Sequence, residues 1–249
     1  MTNNIAIVTG GSRGIGRAAA LKLGAAGYTV VVNYTSNAAA ADEVVTSIAA
    51  AGGKAVAIKG DVAKDADILA LFAAADKLGT LKVLVNNAGV MDQQNRLDEM
   101  TTERIRRIFD INTFGSIICA REAVKRMSTK HGGTGGSIVN MSSAAAYHGA
   151  PGLGVEYGAS KGAIDVLTIG LGREVAAEGV RVNALRPGII DTEIHDSSGI
   201  KGRVKLMRDA IPMKREGTAD EVADAIMWLC SDQSSYVTGS IIPVAGGRC

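Results

Sequence analysis

The stretch Ile5-Ala6-Ile7-Val8-Thr9-Gly10-Gly11-Ser12-Arg13-Gly14-Ile15-Gly16 decides the fold. Its first five residues are mostly β-branched and apolar, which suits a strand buried on both faces. The chain then breaks at once into a glycine turn. Beyond the turn, Ala18, Leu21, Leu23 and Ala26 fall at helical spacing. Strand, glycine turn and helix in that order aim backbone amides and a helix N-terminus at a phosphate. Glycine is needed there because the backbone turns sharply and the ligand comes close. The spacing is Gly-x-x-x-Gly-x-Gly rather than the commoner Gly-x-Gly-x-x-Gly. Gly10, Ser12, Arg13, Gly14, Ile15 and Gly16 are therefore candidate phosphate-cradle residues.

A second strand is expected over residues 28–33, running into Asn33-Tyr34-Thr35-Ser36-Asn37. Dinucleotide-binding sheets ordinarily carry an acid at this point to hold the adenosine ribose hydroxyls. None is present, and Arg13 lies in the turn that faces the same corner. A carboxylate would repel a 2′-phosphate, whereas a guanidinium with hydroxyls binds one. Arg13, Asn33, Tyr34 and Thr35 thus point to NADP (NADPH) in preference to NAD.

The same rhythm continues along the chain. A third strand over residues 54–59 leads to Asp61-Val62, a polar–apolar pair placed to flank adenine. A fourth over residues 81–85 runs into Asn86-Asn87-Ala88-Gly89. A long helix is expected over residues 102–127 with Asn112 inside it, although Asn is a poor helix residue. The fifth strand, 137–141, ends in Ser142-Ser143. A helix over 155–178 and a sixth strand over 180–185 follow, then Pro187-Gly188 and Ile190-Asp191-Thr192. Thr218 and Glu221 have the spacing of a capping box for a last helix, and a seventh strand is read over 239–244. Alternating strands and helices imply an α/β protein. The expectation is a doubly wound, Rossmann-type parallel sheet of seven strands flanked by helices, forming a single domain over residues 1–249. Such sheets bind ligands at the carboxyl ends of their strands, and the flagged residues collect there. Residues 91–96, 144–156 and 193–213 shape the pocket in this reading. Residues 193–211 read as a mobile flap with a short helix near 203–209, and His148 as a solvated loop residue.

Tyr157 and Lys161 are four apart and so share one helix face. An ammonium beside a phenol favours the phenolate by Coulomb attraction. Lowering a tyrosine from about 10 by roughly 3 units takes about 4 kcal/mol, at about 1.36 kcal/mol per unit. The result is a general acid/base suited to neutral pH.

Composition narrows the remaining classes. The chain has 249 residues, 47% of them apolar, with 27 Lys plus Arg against 25 Asp plus Glu. That near balance, without a basic block, argues against nucleic acid or an anionic membrane as partner. No secretory leader and no run of the ~20 apolar residues that span a bilayer is read in the sequence, which suggests the cytoplasm. The three cysteines are scattered and match no metal-ligand spacing, so no metal is expected.

Taken together, the motifs resemble those of the short-chain dehydrogenase/reductase family over nearly the whole chain. The resemblance rests on Thr9–Gly16 as Thr-Gly-x-x-x-Gly-x-Gly, Asn86-Asn87-Ala88-Gly89, Asn112, Ser143, Tyr157-x-x-x-Lys161 and Pro187-Gly188. It is strongest toward glucose-1-dehydrogenase-like and 3-oxoacyl-carrier-protein-reductase-like members. It implies a tetrad of Asn112, Ser143, Tyr157 and Lys161. Tyr157 would exchange the proton, Ser143 would hold the substrate oxygen, and Lys161 would hold the nicotinamide ribose. Asn112 would anchor a water chain leading from Lys161. Alignment to the strand end favours Ser143, with Ser142 as the alternative. The resemblance further implies that Ile190 and Thr192 hold the carboxamide, that Asp61 and Val62 flank adenine, and that Asn87, Ala88 and Gly89 line the dinucleotide. Its substrates are small carbonyls or secondary alcohols, and homotetramers are usual. A non-catalytic NADP sensor would have no use for the tetrad. A lyase or epimerase on the same fold would return the nicotinamide to its starting state.

Overall fold

The computed structural model describes residues 3–152, 154–192 and 208–249. Seven strands form one sheet: β1 (Asn4–Val8), β2 (Thr29–Tyr34), β3 (Lys54–Lys59), β4 (Thr80–Asn86), β5 (Gly136–Met141), β6 (Val180–Pro187) and β7 (Ile241–Val244). Every pairing is parallel and the order is β3-β2-β1-β4-β5-β6-β7. The order reverses between β1 and β4, where Val8 is paired with Val32 on one side and Val85 on the other. Ligand crevices in such sheets open at this reversal.

Alternation along β1 explains its unbroken apolar run. Ala6 and Val8 face one core; Ile5 and Ile7 face the other. The first core is closed by α1 (Gly14–Ala25), α2 (Ala38–Ala50) and a late helix, Ala219–Cys230, through Leu23, Ile48 and Ile226. The second is closed by α3 (Asp65–Asp76) and by Gly115–Met127, through Phe72, Cys119 and Met127. Successive side chains of a strand point to opposite faces, so a strand covered on both faces reads as an apolar run, and the polar residues it does bury are hydrogen-bonded.

The helix expected over residues 102–127 is divided. It comprises α4 (Thr102–Phe109), a π-type turn (Asp110–Phe114) and α5 (Gly115–Met127). The Gly115 amide reaches back to the Asp110 carbonyl, five residues away, which sets Asn112 at the bend. Residues 144–154 hold a short helix, α6 (Ala145–His148), and α7 (Val155–Glu174) ends four residues before Glu178. The capping box holds: Thr218 accepts from the Glu221 amide and Glu221 accepts from that of Thr218, opening α8 (Ala219–Cys230). Strand β7 starts at Ile241 rather than residue 239. Of the segment read as a flap, residues 193–207 lie outside the described residues, and Arg208–Ala210 is a 3-10 turn.

Candidate active site

The β1 side of the crevice is a backbone construction. Gly10 has φ +60, a conformation open to glycine. A Cβ on Gly16 would meet the Gly10 carbonyl oxygen at 2.3 Å and Asn87 Nδ2 at 2.5 Å, so only glycine fits there. Asn87 Nδ2 donates to the carbonyls of Thr9 (2.9 Å) and Gly10 (3.0 Å). Thr9 Oγ1 accepts from the amides of Asn87 and Ala88, each at 3.0 Å. The ends of β1 and β4 are thereby locked together. Asn33, expected to face the ligand, is buried. Its Oδ1 accepts from the Gly10 amide and its Nδ2 donates to the Gly60 carbonyl. It braces the cradle from behind, leaving exposed Arg13 and Thr35 and half-buried Tyr34 at the corner. Asp61 Oδ1 accepts from the Ala63 amide, shaping the turn after β3 ahead of buried Val62.

The β5 side is made of side chains. Lys161 is 4% exposed, and its Nζ donates to the Met141 carbonyl at 2.7 Å. Burial pushes its pKa down to about 8, opposed only in part by Asp165 one turn along α7. The same Nζ lies 5.9 Å from the centre of the Tyr157 ring. Asn112 is fully buried. Its Oδ1 accepts from the Val90 amide (2.8 Å), and its Nδ2 donates to the Val90 carbonyl (3.0 Å) and to Ser160 Oγ (3.2 Å). Ser160 Oγ in turn donates to the Tyr157 carbonyl at 2.7 Å. The π-type turn thus ties the loop after β4 to the first turns of α7.

The two adjacent serines differ. Ser142 is buried and its hydroxyl donates to the Lys161 carbonyl at 3.2 Å. Ser143 is half-buried and its Oγ accepts from the Ala145 amide at 3.1 Å, so its own proton remains available.

One cleft brings ten of the flagged residues together; the rest of the glycine turn, the corner after β2, and Asp61 and Val62 are not among its lining residues. Ile15, Asn87 and Gly89 line its β1–β4 side; Ser143, Tyr157 and Lys161 line its β5 side. Pro187, Gly188, Ile190 and Thr192 close it beyond β6. Asn112 stands behind the wall: a Cβ on Gly89 would lie 3.3 Å from both Asn112 Oδ1 and Lys161 Nζ. Thr192 Oγ1 is buried with no hydrogen-bond partner, as expected of a group that awaits a ligand amide or phosphate. A glycine-only cradle at one end and an unsatisfied hydroxyl at the other fit an extended dinucleotide.

Three cleft residues carried no individual role in the sequence reading, although His148 and Glu156 lie in the 144–156 segment expected to shape the pocket. His148 is half-buried rather than solvated; Nδ1 accepts from the Ala150 amide, and burial lowers its pKa, followed by the effect of nearby Arg248. Arg248, next to the C-terminus, also lines the cleft. Glu156, within the segment expected to shape the pocket, is paired with Arg104 from α4. That pairing spans 52 positions and leaves no local sequence signal. Among the described residues, no cluster of three or more His, Cys, Asp or Glu is placed to hold a metal, and no helix is long and apolar enough to cross a membrane.

A doubly wound sheet with a glycine cradle at its reversal and a Tyr–Lys pair across the crevice defines a dinucleotide-dependent oxidoreductase of a single class. The chain belongs to the short-chain dehydrogenase/reductase family. A family model described as enoyl-(acyl carrier protein) reductase matches residues 10–248. The chain is 55% identical to the uncharacterized oxidoreductase YgfF of Escherichia coli K12, over 98% of this chain and 99% of that protein. It is 40% identical to glucose 1-dehydrogenase 2 of Bacillus subtilis, covering 99% and 95%. Its backbone matches a solved short-chain dehydrogenase/reductase double mutant from Serratia marcescens with a TM-score of 0.91, at 30% identity, covering 99% and 98%. The protein is an oxidoreductase whose chemistry runs on a nicotinamide cofactor and a small-molecule substrate.

Proposed function

We propose that the chain is an NADP(H)-dependent enzyme that interconverts a carbonyl and a secondary alcohol, with Tyr157 as the general acid/base. The observation that carries this reading is the buried Lys161 ammonium beside the Tyr157 ring, in the cleft that Ser143 also lines. A buried cation stabilises the phenolate far more than an exposed one does, because the interior screens less. Bound NADPH would supply the hydride to the carbonyl carbon. In reduction, Tyr157 gives its hydroxyl proton to the carbonyl oxygen, and Ser143 donates a hydrogen bond to that oxygen. In oxidation the tyrosine takes the proton back. Lys161 lies close enough to neutrality to share in returning that proton. Ser142, with its hydroxyl held by the Lys161 carbonyl, acts as a brace. Asn112 has its amide spent on Val90 and Ser160, so a water would be held by its main-chain carbonyl, which already accepts from Ser116 Oγ at 3.1 Å.

Arg13, Gly10, Ser12, Gly14, Ile15 and Gly16 hold the adenosine phosphates. Tyr34 and Thr35 complete the 2′-phosphate corner, and Asp61 and Val62 flank adenine. Ile190 and Thr192 hold the carboxamide. We also assign a single domain, a cytoplasmic location and a homotetramer. Exposed Phe114 and Ile117, beside α4 and on α5, and Val166 on α7 support the assembly.

The direct test is a panel of ketones, aldehydes and secondary alcohols assayed by NADPH absorbance, with NADH in parallel. Oxidation of NADPH with at least one carbonyl is expected, at a kcat/KM well above that with NADH. Conversion of substrate without net cofactor turnover would instead place the protein among lyases or epimerases.

A further inference from the structure

Glu156 directly precedes Tyr157 in the first turn of α7 and lines the same cleft, yet it is 3% exposed. Its partner Arg104 has a side chain only 12% exposed. A guanidinium and a carboxylate so placed ordinarily meet as two parallel bonds, one to each oxygen. Here both donors close on a single oxygen: Oε1 accepts from Arg104 Nε at 3.0 Å and from Nη2 at 2.6 Å. Oε2 is buried and has no hydrogen-bond partner. A buried carboxylate oxygen left without a donor is costly and calls for an explanation. Asp165 has a similar unpartnered oxygen beside Arg186 but is not among the residues lining this cleft, whereas Glu156 is.

The carboxylate end of Glu156 lies beside Gly154. A methyl group at that position would lie 3.5 Å from Glu156 Oε2, 3.8 Å from its Oε1 and 3.6 Å from Tyr157 Cβ. Gly154 also lines the cleft, so the open side of this glycine is flanked by the tyrosine on one hand and the free oxygen on the other.

We propose that Glu156 is a specificity-determining residue, and that Oε2 accepts a hydrogen bond from a hydroxyl the substrate carries near its reacting carbonyl. The preferred substrates are then hydroxyketones, or the matching diols in the reverse direction, rather than plain ketones. This rests on the carbonyl-reducing role given to the cleft above. Arg104 fixes the carboxylate in place through both of its donors, and a carboxylate oxygen accepts hydrogen bonds rather than donating them. A site built to receive a donor rejects an analogue that lacks one, because its own acceptor is then left buried and unpaired.

The test compares hydroxyacetone and 4-hydroxy-2-butanone with 2-butanone and methoxyacetone, using NADPH and the full-length protein. Wild type is expected to favour the hydroxylated ketones by at least tenfold in kcat/KM. Glu156→Gln keeps an oxygen for Arg104 and turns the free end into an NH2 donor. The preference should then collapse and tip toward methoxyacetone, an acceptor of similar size. A loss of packing alone would slow all four ketones together and leave their ratios intact. Should Glu156→Gln fold poorly with Arg104 unpaired, the double variant Arg104→Gln/Glu156→Gln removes both buried charges and is read by the same ratios. Turnover of all four ketones at equal kcat/KM, or a hydroxyl preference kept in the Gln variants, overturns the assignment while leaving the carbonyl reductase reading intact. No turnover of any carbonyl overturns both.

Discussion

The two sides of the crevice present different chemistry to the same ligand space. On the β1 side the chain offers backbone: a glycine turn, a helix N-terminus, carbonyls tied off by Asn87 and amides tied off by Thr9. On the β5 side it offers side chains held in a buried polar network that runs from Val90 through Asn112 and Ser160 to Tyr157. A backbone cradle depends on space and tolerates no added atom. A side-chain cluster depends on charge and orientation, and it carries the desolvation of Lys161 as its cost. The first side should therefore fail by steric change, with binding and stability lost together. The second should fail by chemical change, with stability preserved or even improved.

The largest expected effect is on the β1 side. Gly16→Ala brings a Cβ against the Gly10 carbonyl oxygen at 2.3 Å. We expect a loss of about 3 kcal/mol in stability, from forced overpacking of backbone. Thermal unfolding should show it, and NADPH fluorescence titration should show binding lost with it. Normal stability with weak binding would mean the turn relaxes, and the steric contrast would fail.

On the β5 side, Lys161→Met should abolish turnover yet remove a stability penalty. The native pKa is lowered from 10.5 to about 8, so between those values the unfolded chain holds a proton that the native chain has released. Stability of the cofactor-free protein must then rise with pH across that window, by up to about 3 kcal/mol at about 1.36 kcal/mol per unit. Below pH 8 the penalty is present in full. Denaturant unfolding at pH 7 and pH 10 should show this rise in wild type, and a smaller one in the Met variant. Equal pH dependence in the two would mean that Lys161 is not desolvated as the geometry requires.

The smallest effect sharpens the cofactor side. Arg13→Ala removes the one cation of the glycine turn without touching a packed atom, since Arg13 is exposed. The preference for NADPH over NADH should fall by about tenfold, or about 1.4 kcal/mol. An unchanged ratio of kcat/KM values would remove Arg13 from the selection of the 2′-phosphate.

The contrast between the two sides also governs what could be read before the fold was known. Residues 9–16 are contiguous and their glycines have a steric reason, so strand, turn and helix were legible together. Tyr157 and Lys161 were legible because one helix turn joins them. Asn112 was visible only as a misfit within an expected helix; that it sits in a π-type turn follows from the Gly115–Asp110 backbone bond, and its own amide group is held by Val90, 22 residues away. Ser142 and Ser143 are adjacent, and only alignment to the strand end ranked Ser143 above Ser142 in the sequence. Their hydrogen bonds differ: Ser143 accepts from the local Ala145 amide, while Ser142 donates to the Lys161 carbonyl, a neighbour only when β5 and α7 pack. Asn33 was placed correctly in the chain but its side chain turns inward, because the Gly10 amide and the Gly60 carbonyl need partners. The Arg104–Glu156 pair joins α4 to α7 across a contact that no periodicity encodes.

The central claim is that Tyr157 moves the proton while the rest of the cleft holds the cofactor. Tyr157→Phe tests it most directly, with turnover and NADPH affinity measured on the same preparation. The account predicts NADPH binding within about twofold of wild type and turnover lowered by at least the ~10²–10⁴-fold that a positioned acid/base contributes. Turnover near the wild-type level in the Phe variant would contradict it.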